Sequence, residues 1–120
     1  MNQPEYQIQQ EANGSARVTV LAGSFDIFCD MDAFSKELGD LAKTCREIAV
    51  DLEAVRHIDI TTVCALIKIQ RLLSKYHGEA GKLVLLNPTK FVGEILSCMH
   101  ADRILELEYE VDITWMEEGE

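Results

Sequence analysis

A chain of 120 residues, 48% hydrophobic and 27% charged, has the balance of one compact globular domain, which excludes the disordered and fibrous classes. Eleven Lys and Arg against twenty-one Asp and Glu leave a formal charge of -10, which argues against direct contact with phosphate backbones or anionic lipid surfaces. No apolar run approaches the roughly 20 residues of a membrane helix, and Met1-Asn2-Gln3-Pro4-Glu5 lacks the basic flank and apolar stretch of a signal peptide, so a cytoplasmic location is expected.

In chain order, Tyr6 and Ile8 alternate with polar neighbours, as do Val18 and Val20, and Asn13-Gly14 between them is a favoured turn pair. An opening β-hairpin follows from that pattern. After Gly23, the residues Ile27, Phe28, Met31, Phe34, Leu38, Leu41 and Ala42 keep helical spacing, with Asp30 or Asp32 available as the cap and an end near Lys43. Ile48-Ala49-Val50 and Leu83-Val84-Leu85-Leu86 are short, continuously apolar runs of the kind found in strands of a parallel sheet. Between them, Thr62, Leu66, Ile69, Leu73 and Tyr76 mark one face of a second helix that stops at His77-Gly78. Strand, helix and strand form a βαβ unit. Asn87-Pro88 offers an N-cap before a first-turn proline, and Phe91, Val92, Ile95, Leu96 and Met99 give a third helix its apolar stripe. Leu105, Leu107, Tyr109 and Val111 alternate with Glu106, Glu108, Glu110 and Asp112 as in a half-solvated strand, and the last residues, 116–120, are expected to be a loose acidic tail.

Cys29, Cys45, Cys64 and Cys98 contain no Cys-x-x-Cys pair and no histidine at zinc-finger spacing, so reduced and mostly buried thiols are expected. His57 with Asp59, and Cys98 with His100, are too isolated to define a metal site. Lys68, Arg71 and Lys75 recur at helical spacing as a small basic stripe, which reads first as an ordinary solvated face. Trp115 and Tyr109 read as packing residues of the final strand.

The segment that stands out is Val55-Arg56-His57-Ile58-Asp59-Ile60-Thr61-Thr62-Val63, which leaves the Ile48–Val50 strand and enters the second helix. Asp59 is a natural N-cap there, since its carboxylate can accept from first-turn amides and complements the positive helix end. By itself a capped helix start is an ordinary structural feature. In context, an Asp and hydroxyl residues opening a helix after a buried strand resemble the STAS family. Leu21-Ala22-Gly23-Ser24-Phe25-Asp26 is similar to the family's turn before its first helix. Ile48-Ala49-Val50-Asp51-Leu52 resembles its central strand, and Gly81-Lys82-Leu83-Val84-Leu85-Leu86-Asn87 the strand after its second helix. The resemblance covers nearly the whole chain and implies an α/β fold. One STAS-like domain over 1–120 is expected, with a mixed β-sheet, an N-terminal hairpin, central parallel strands and helices packed against them.

Within that family the resemblance is to bacterial anti-sigma-factor antagonists, which implies a non-enzymatic protein-binding role without cofactor or metal. The residue after the Asp is then the serine or threonine phosphorylated by a kinase-type anti-sigma factor. Phosphate at a helix N-terminus is tolerated by the fold, yet it adds nearly two negative charges to the contact surface. This chain departs at that position, because Ile60 has no hydroxyl. Thr61 is the nearest phosphoacceptor, displaced by about 100° and near 1.5 Å along the helix, and Thr62 stands where the family has Gly. The implied partner-binding residues are Asp26, Asp59, Ile60, Thr61, Thr62 and Val63. Ile60 itself reads either as a residue folded back into the core or, by preference, as an apolar anchor left on the surface. Asp26 reads equally well as a solvated loop residue.

An alternative in the same binding class is a constitutive STAS subunit of a transporter ATPase complex or signalling assembly, without phospho-switching. From the enzyme class, a receiver-type phosphoacceptor would use Asp51, but no acidic pair ends the early strands and no Lys ends a late one. A hydrolase built on Cys64 has no nucleophile, base and orienter pattern.

Overall fold

The computed structural model describes residues 5–21, 24–25, 31–101 and 104–108. Asp26, Cys29, Asp30, Tyr109, Trp115 and the expected tail at 116–120 lie outside the described residues, as does the start of the first helical pattern at Ile27 and Phe28. Strands β1 (Tyr6–Gln10) and β2 (Ser15–Val20) form the antiparallel hairpin read from the sequence. Gly14 makes the turn at φ 85°, a conformation glycine adopts without Cβ strain. An added Cβ would also lie 2.7 Å from Nη1 of Arg46, which donates to the Asn13 carbonyl.

Beyond the hairpin come β3 (Ser24–Phe25), α1 (Met31–Thr44), β4 (Glu47–Asp51), β5 (His57–Ile58), α2 (Ile60–His77), β6 (Lys82–Leu86), α3 (Lys90–Cys98) and β7 (Glu106–Glu108). Among the described residues, five strands run in the order β1-β2-β4-β6-β7, antiparallel in the hairpin and parallel from β2 onward. β3 and β5 form a separate parallel pair that nothing in the short Ser24-Phe25 and His57-Ile58 segments announces.

Parallel register sets the layers. Ala16, Val18 and Val20 of β2 align with Ile48 and Val50 of β4 and with Leu83 and Leu85 of β6. These residues share one buried cluster with Phe34, Leu38 and Leu41 of α1, Leu66, Ile69 and Leu73 of α2, and Val92 and Leu96 of α3. The three helices thus pack into the same core as the inward residues of the sheet. On the opposite sheet face, Arg17 Nη2 donates to Asp51 Oδ2 at 2.7 Å, and Asp51 Oδ1 accepts from the Glu53 amide at 3.0 Å. Both oxygens of this buried carboxylate are engaged in tying β2, β4 and the following turn together.

Several helix details differ from the sequence reading. Asp32 sits inside the first turn of α1 and is not its cap. α3 is capped by Thr89, whose Oγ1 accepts from the Val92 amide at 3.3 Å, and Asn87 instead ends β6 at φ 53°. Asn tolerates that left-handed geometry, and its amide donates to the Glu108 carbonyl, so residues 87–88 belong to the turn rather than the helix. Tyr76 and Phe91, both assigned to buried stripes, are 43% and 51% exposed, because the core covers only the centres of those stripes. Cys45 is buried, but Cys64 and Cys98 are exposed, which corrects the expectation of mostly buried thiols.

Candidate functional site at the start of the second helix

β5 carries the chain to Asp59 in an extended conformation, φ -123° and ψ 177°, from which α2 begins. Asp59 Oδ1 accepts from the Thr62 amide at 3.0 Å, and its carbonyl accepts from the Val63 amide at 3.1 Å. The side-chain bond is the N-cap expected from the sequence and satisfies a first-turn donor. Oδ2 is buried and has no hydrogen-bond partner among the described residues. Such an orphan oxygen costs on the order of 1–3 kcal/mol, offset in part by the positive end of the helix dipole.

Past this cap the residues divide sharply. Ile60 is 66% exposed and Thr61 is also exposed, whereas Thr62 and Val63 have no exposed surface. Thr62 and Val63, read from the sequence as contact residues, therefore turn into the core, one side of the helix away from Ile60. Their role in the closed domain is to fix the first turn, and the side chains presented outward are Ile60, Thr61 and, one turn on, Cys64. A groove separates these residues from the start of α1, with Met31, Asp32 and Ser35 on the far wall and Lys68 continuing the near one.

Ile60 is not the only apolar residue at this end of the domain. In sheets with parallel strands, ligand and partner sites gather beyond the carboxyl ends of the strands. Leu21, 49% exposed, follows β2, Ile60 follows β5, and Phe91 opens α3 after β6. The Phe91 ring meets His57 edge to face at a centroid distance of 5.9 Å. The sequence reading missed Leu21, Phe91 and Cys64 as surface residues. Phe91 had a usable signal, since it sits off the Val92 and Leu96 line that the core buries. Leu21 and Cys64 had none, because only tertiary structure decides whether a short apolar residue is covered.

Among the described residues, no group of His, Cys, Asp and Glu is arranged to hold a metal ion. No described helix is long and apolar enough to cross a membrane.

No family model and no curated protein matches the chain. Solved structures do. The anti-sigma factor antagonist SpoIIAA in its unphosphorylated form superposes with a TM-score of 0.73 at 15% identity, covering 97% of this chain and 98% of that one. An anti-sigma-factor antagonist (STAS) domain protein from Planctomyces limnophilus gives 0.74 at 13% identity, with 98% of each chain covered. SLC26A9 gives 0.56 at 18% identity, where 75% of this chain matches 16% of that much longer one. The protein therefore has the fold of a STAS domain, with the mixed sheet and N-terminal hairpin read from its sequence. Within that class it resembles the anti-sigma-factor antagonists.

Proposed function

We propose that the protein is a non-enzymatic regulatory binding domain that engages a kinase-type anti-sigma factor through the exposed start of α2. The observation that carries this reading is Ile60, a large aliphatic side chain left 66% exposed on a capped helix turn whose Thr62 and Val63 are buried. An aliphatic residue in water loses the stabilisation that burial would supply, about 1.5–3 kcal/mol for a full side chain. A partner that covers it recovers much of that. Asp59 sets the frame, Ile60 is the apolar anchor, and Thr61 is the hydroxyl available for modification. Asp26, in the segment before α1, is assigned to the same contact.

A phosphorylated Thr61 would place nearly two negative charges beside the anchor at the helix N-terminus. The dipole there tolerates the charge, so the fold survives while the contact surface is altered. SpoIIAA, whose fold this chain shares, is known in both unphosphorylated and phosphorylated forms. Asp51, the carboxylate that a receiver-type phosphoacceptor would need, has both oxygens committed to Arg17 and Glu53, which favours binding over phosphoryl chemistry at that residue. The domain is assigned to the cytosol, where such a partner works.

A second reading is supported by a specific observation. A similar fold occurs over 16% of the SLC26A9 chain, so it can also be one module of a much longer protein. With Ile60 in place of a hydroxyl residue, a constitutive subunit fits this chain as well. Recovery of partners from the native host's cytosol, with wild type and Ile60→Asp as baits, separates the two. Capture of an ATP-binding kinase by wild type only, with a phosphoryl adduct mapping to Thr61, supports switching. Capture of a transporter or scaffold subunit without an adduct contradicts it.

A further inference from the structure

We propose that the outer edge of β1 is a second docking surface, which takes an extended cationic segment of a partner protein as an added antiparallel strand. β1 lies at the end of the strand order, and no described strand pairs with its other side. Its ladder to β2 fixes which backbone groups are free. Glu5 stands opposite Leu21 and accepts from its amide at 2.7 Å, and the Glu11 amide donates to the Ser15 carbonyl opposite it at 2.9 Å. Directly bonded pairs alternate along an antiparallel ladder, so residues 5, 7, 9 and 11 face β2. Tyr6, Ile8 and Gln10 consequently direct both amide and carbonyl toward the open edge.

Edge strands are normally blunted by lysine, proline or a bulge. β1 reads Tyr-Gln-Ile-Gln-Gln in continuous register and has none of these. Beside it runs a groove against α1, lined by Ile8, Gln10, Glu37, Asp40, Leu41 and Thr44. Two of the residues that offer outward backbone groups, Ile8 and Gln10, also turn their side chains to this groove, since Ile8 aligns with core-facing Val18. An added strand would therefore place every second side chain between β1 and α1. The floor is aliphatic and the charged groups lining the groove, Glu37 and Asp40, are both acidic. Lys43 lies 3.6 Å from Asp40, is exposed and is not part of that lining. Glu5 and Glu11 flank the strand.

That charge pattern selects the occupant. A second copy pairing edge to edge would bring its own Glu37 and Asp40 against these, on two chains each carrying a formal charge of -10. A segment with Lys or Arg on either side of one aliphatic residue matches both the rim and the floor. This surface lies on the flank of α1 away from the α2 groove, whose α1 wall is Met31, Asp32 and Ser35. The two contacts can be occupied together.

The test uses the full chain and a labelled pentapeptide, Lys-Thr-Val-Thr-Lys, with Glu-Thr-Val-Thr-Glu as its control. Amide hydrogen exchange by NMR should show Tyr6, Ile8 and Gln10 exchanging fast in the free protein and slowed by the basic peptide, while Gln7 and Gln9 stay protected throughout. Affinity for the basic peptide should exceed that for the acidic one by about tenfold. Gln10→Pro removes an outward amide without touching the ladder to β2, and Asp40→Lys reverses the rim. Each should weaken binding about fivefold or more at unchanged Tm. If Gln10→Pro lowers Tm, Asp40→Lys decides. Equal or absent binding of the two peptides, or no loss with Asp40→Lys, overturns the proposal. So does a dimer in sedimentation that Asp40→Lys leaves intact or tightens, since the edge would then belong to a second copy.

Discussion

The two ends of α2 are built on opposite principles. Toward its carboxyl end, Gln70 and His77 both bond to backbone of neighbouring elements. Gln70 donates to the Gly81 carbonyl at 3.1 Å and accepts from the Leu83 amide at 2.7 Å, so one side chain satisfies the backbone where β6 begins. His77 Nε2 donates to the Ala42 carbonyl at 2.6 Å, which fastens the last turn of α2 to α1. Gly81 lies so close to α2 that an added Cβ would fall 2.1 Å from the Leu73 carbonyl oxygen. At the amino end the Asp59 cap holds the turn, and Ile60, Thr61 and Cys64 face outward. One end anchors the helix, so the other can present a surface without losing its position.

The largest expected effect is at the anchored end. Gly81→Ala forces β6 and α2 apart and should cost about 3 kcal/mol or more, roughly 10 °C or more in Tm. A melt within a degree or two of wild type would show that this junction is not tight. Gln70→Ala strands the Leu83 amide in the interior, with an expected loss of about 1–3 kcal/mol by urea titration.

At the presenting end the stability effects shrink. Asp59→Ala should cost about 1 kcal/mol or less, as for other N-caps, because it also removes the orphan Oδ2. Asp59→Ser keeps a capping oxygen without that orphan and should match or exceed wild type in the same titration. Ile60→Asp should leave stability unchanged or raise it by about 0.3–0.5 kcal/mol, since a carboxylate favours the first helical turn. Partner binding should nevertheless fall by about 2 kcal/mol or more, as for a central apolar anchor. Stability and binding moving in opposite directions at one residue would sharpen the contrast between the two ends.

The smallest effect lies away from α2. Burial and a hydrogen bond to the nearby Glu37 carboxylate push the Tyr6 phenol up from 10.0 to about 12. The protonated form is favoured in the folded state, so this contribution is complete below pH 10 and is lost as pH rises toward 12. Chemical denaturation across that window should show wild type losing stability and Tyr6→Phe losing less.

The anchored end and the presenting end were not equally legible in the sequence. Asn13-Gly14, the two apolar runs and the Asp59 cap fix the hairpin, the parallel strands and the start of α2, because each rests on local geometry or short-range periodicity. Gln70, His77 and Gly81 gave no such signal. Their contacts join residues 13, 35 and 8 positions apart, respectively, through the fold, and a polar residue in a helix pattern does not announce which backbone it will satisfy. At the site, Ile60 reads as either a core residue or, by preference, a surface anchor, and the structure leaves it exposed. The inward turn of Thr62 was marked by its place on the Leu66, Ile69 and Leu73 face, although it also reads as a contact residue, and that of Val63 follows from the 100° step per residue. Cap placement at α3 went astray because Asn87-Pro88 satisfies the local rule, while the Asn87 amide is taken by Glu108 from a strand far along the chain.

The most direct test of the binding role is site-specific photo-cross-linking with a benzophenone amino acid at position 60 and, as a control, at position 104, where Ile104 is also exposed. Both probes are expressed in the full chain in its native host. A single protein cross-linked strongly from position 60 and not from 104, identified as an ATP-binding kinase, is the predicted result. Equal labelling from both positions, or partner adducts only from 104, would contradict a docking surface at the start of α2.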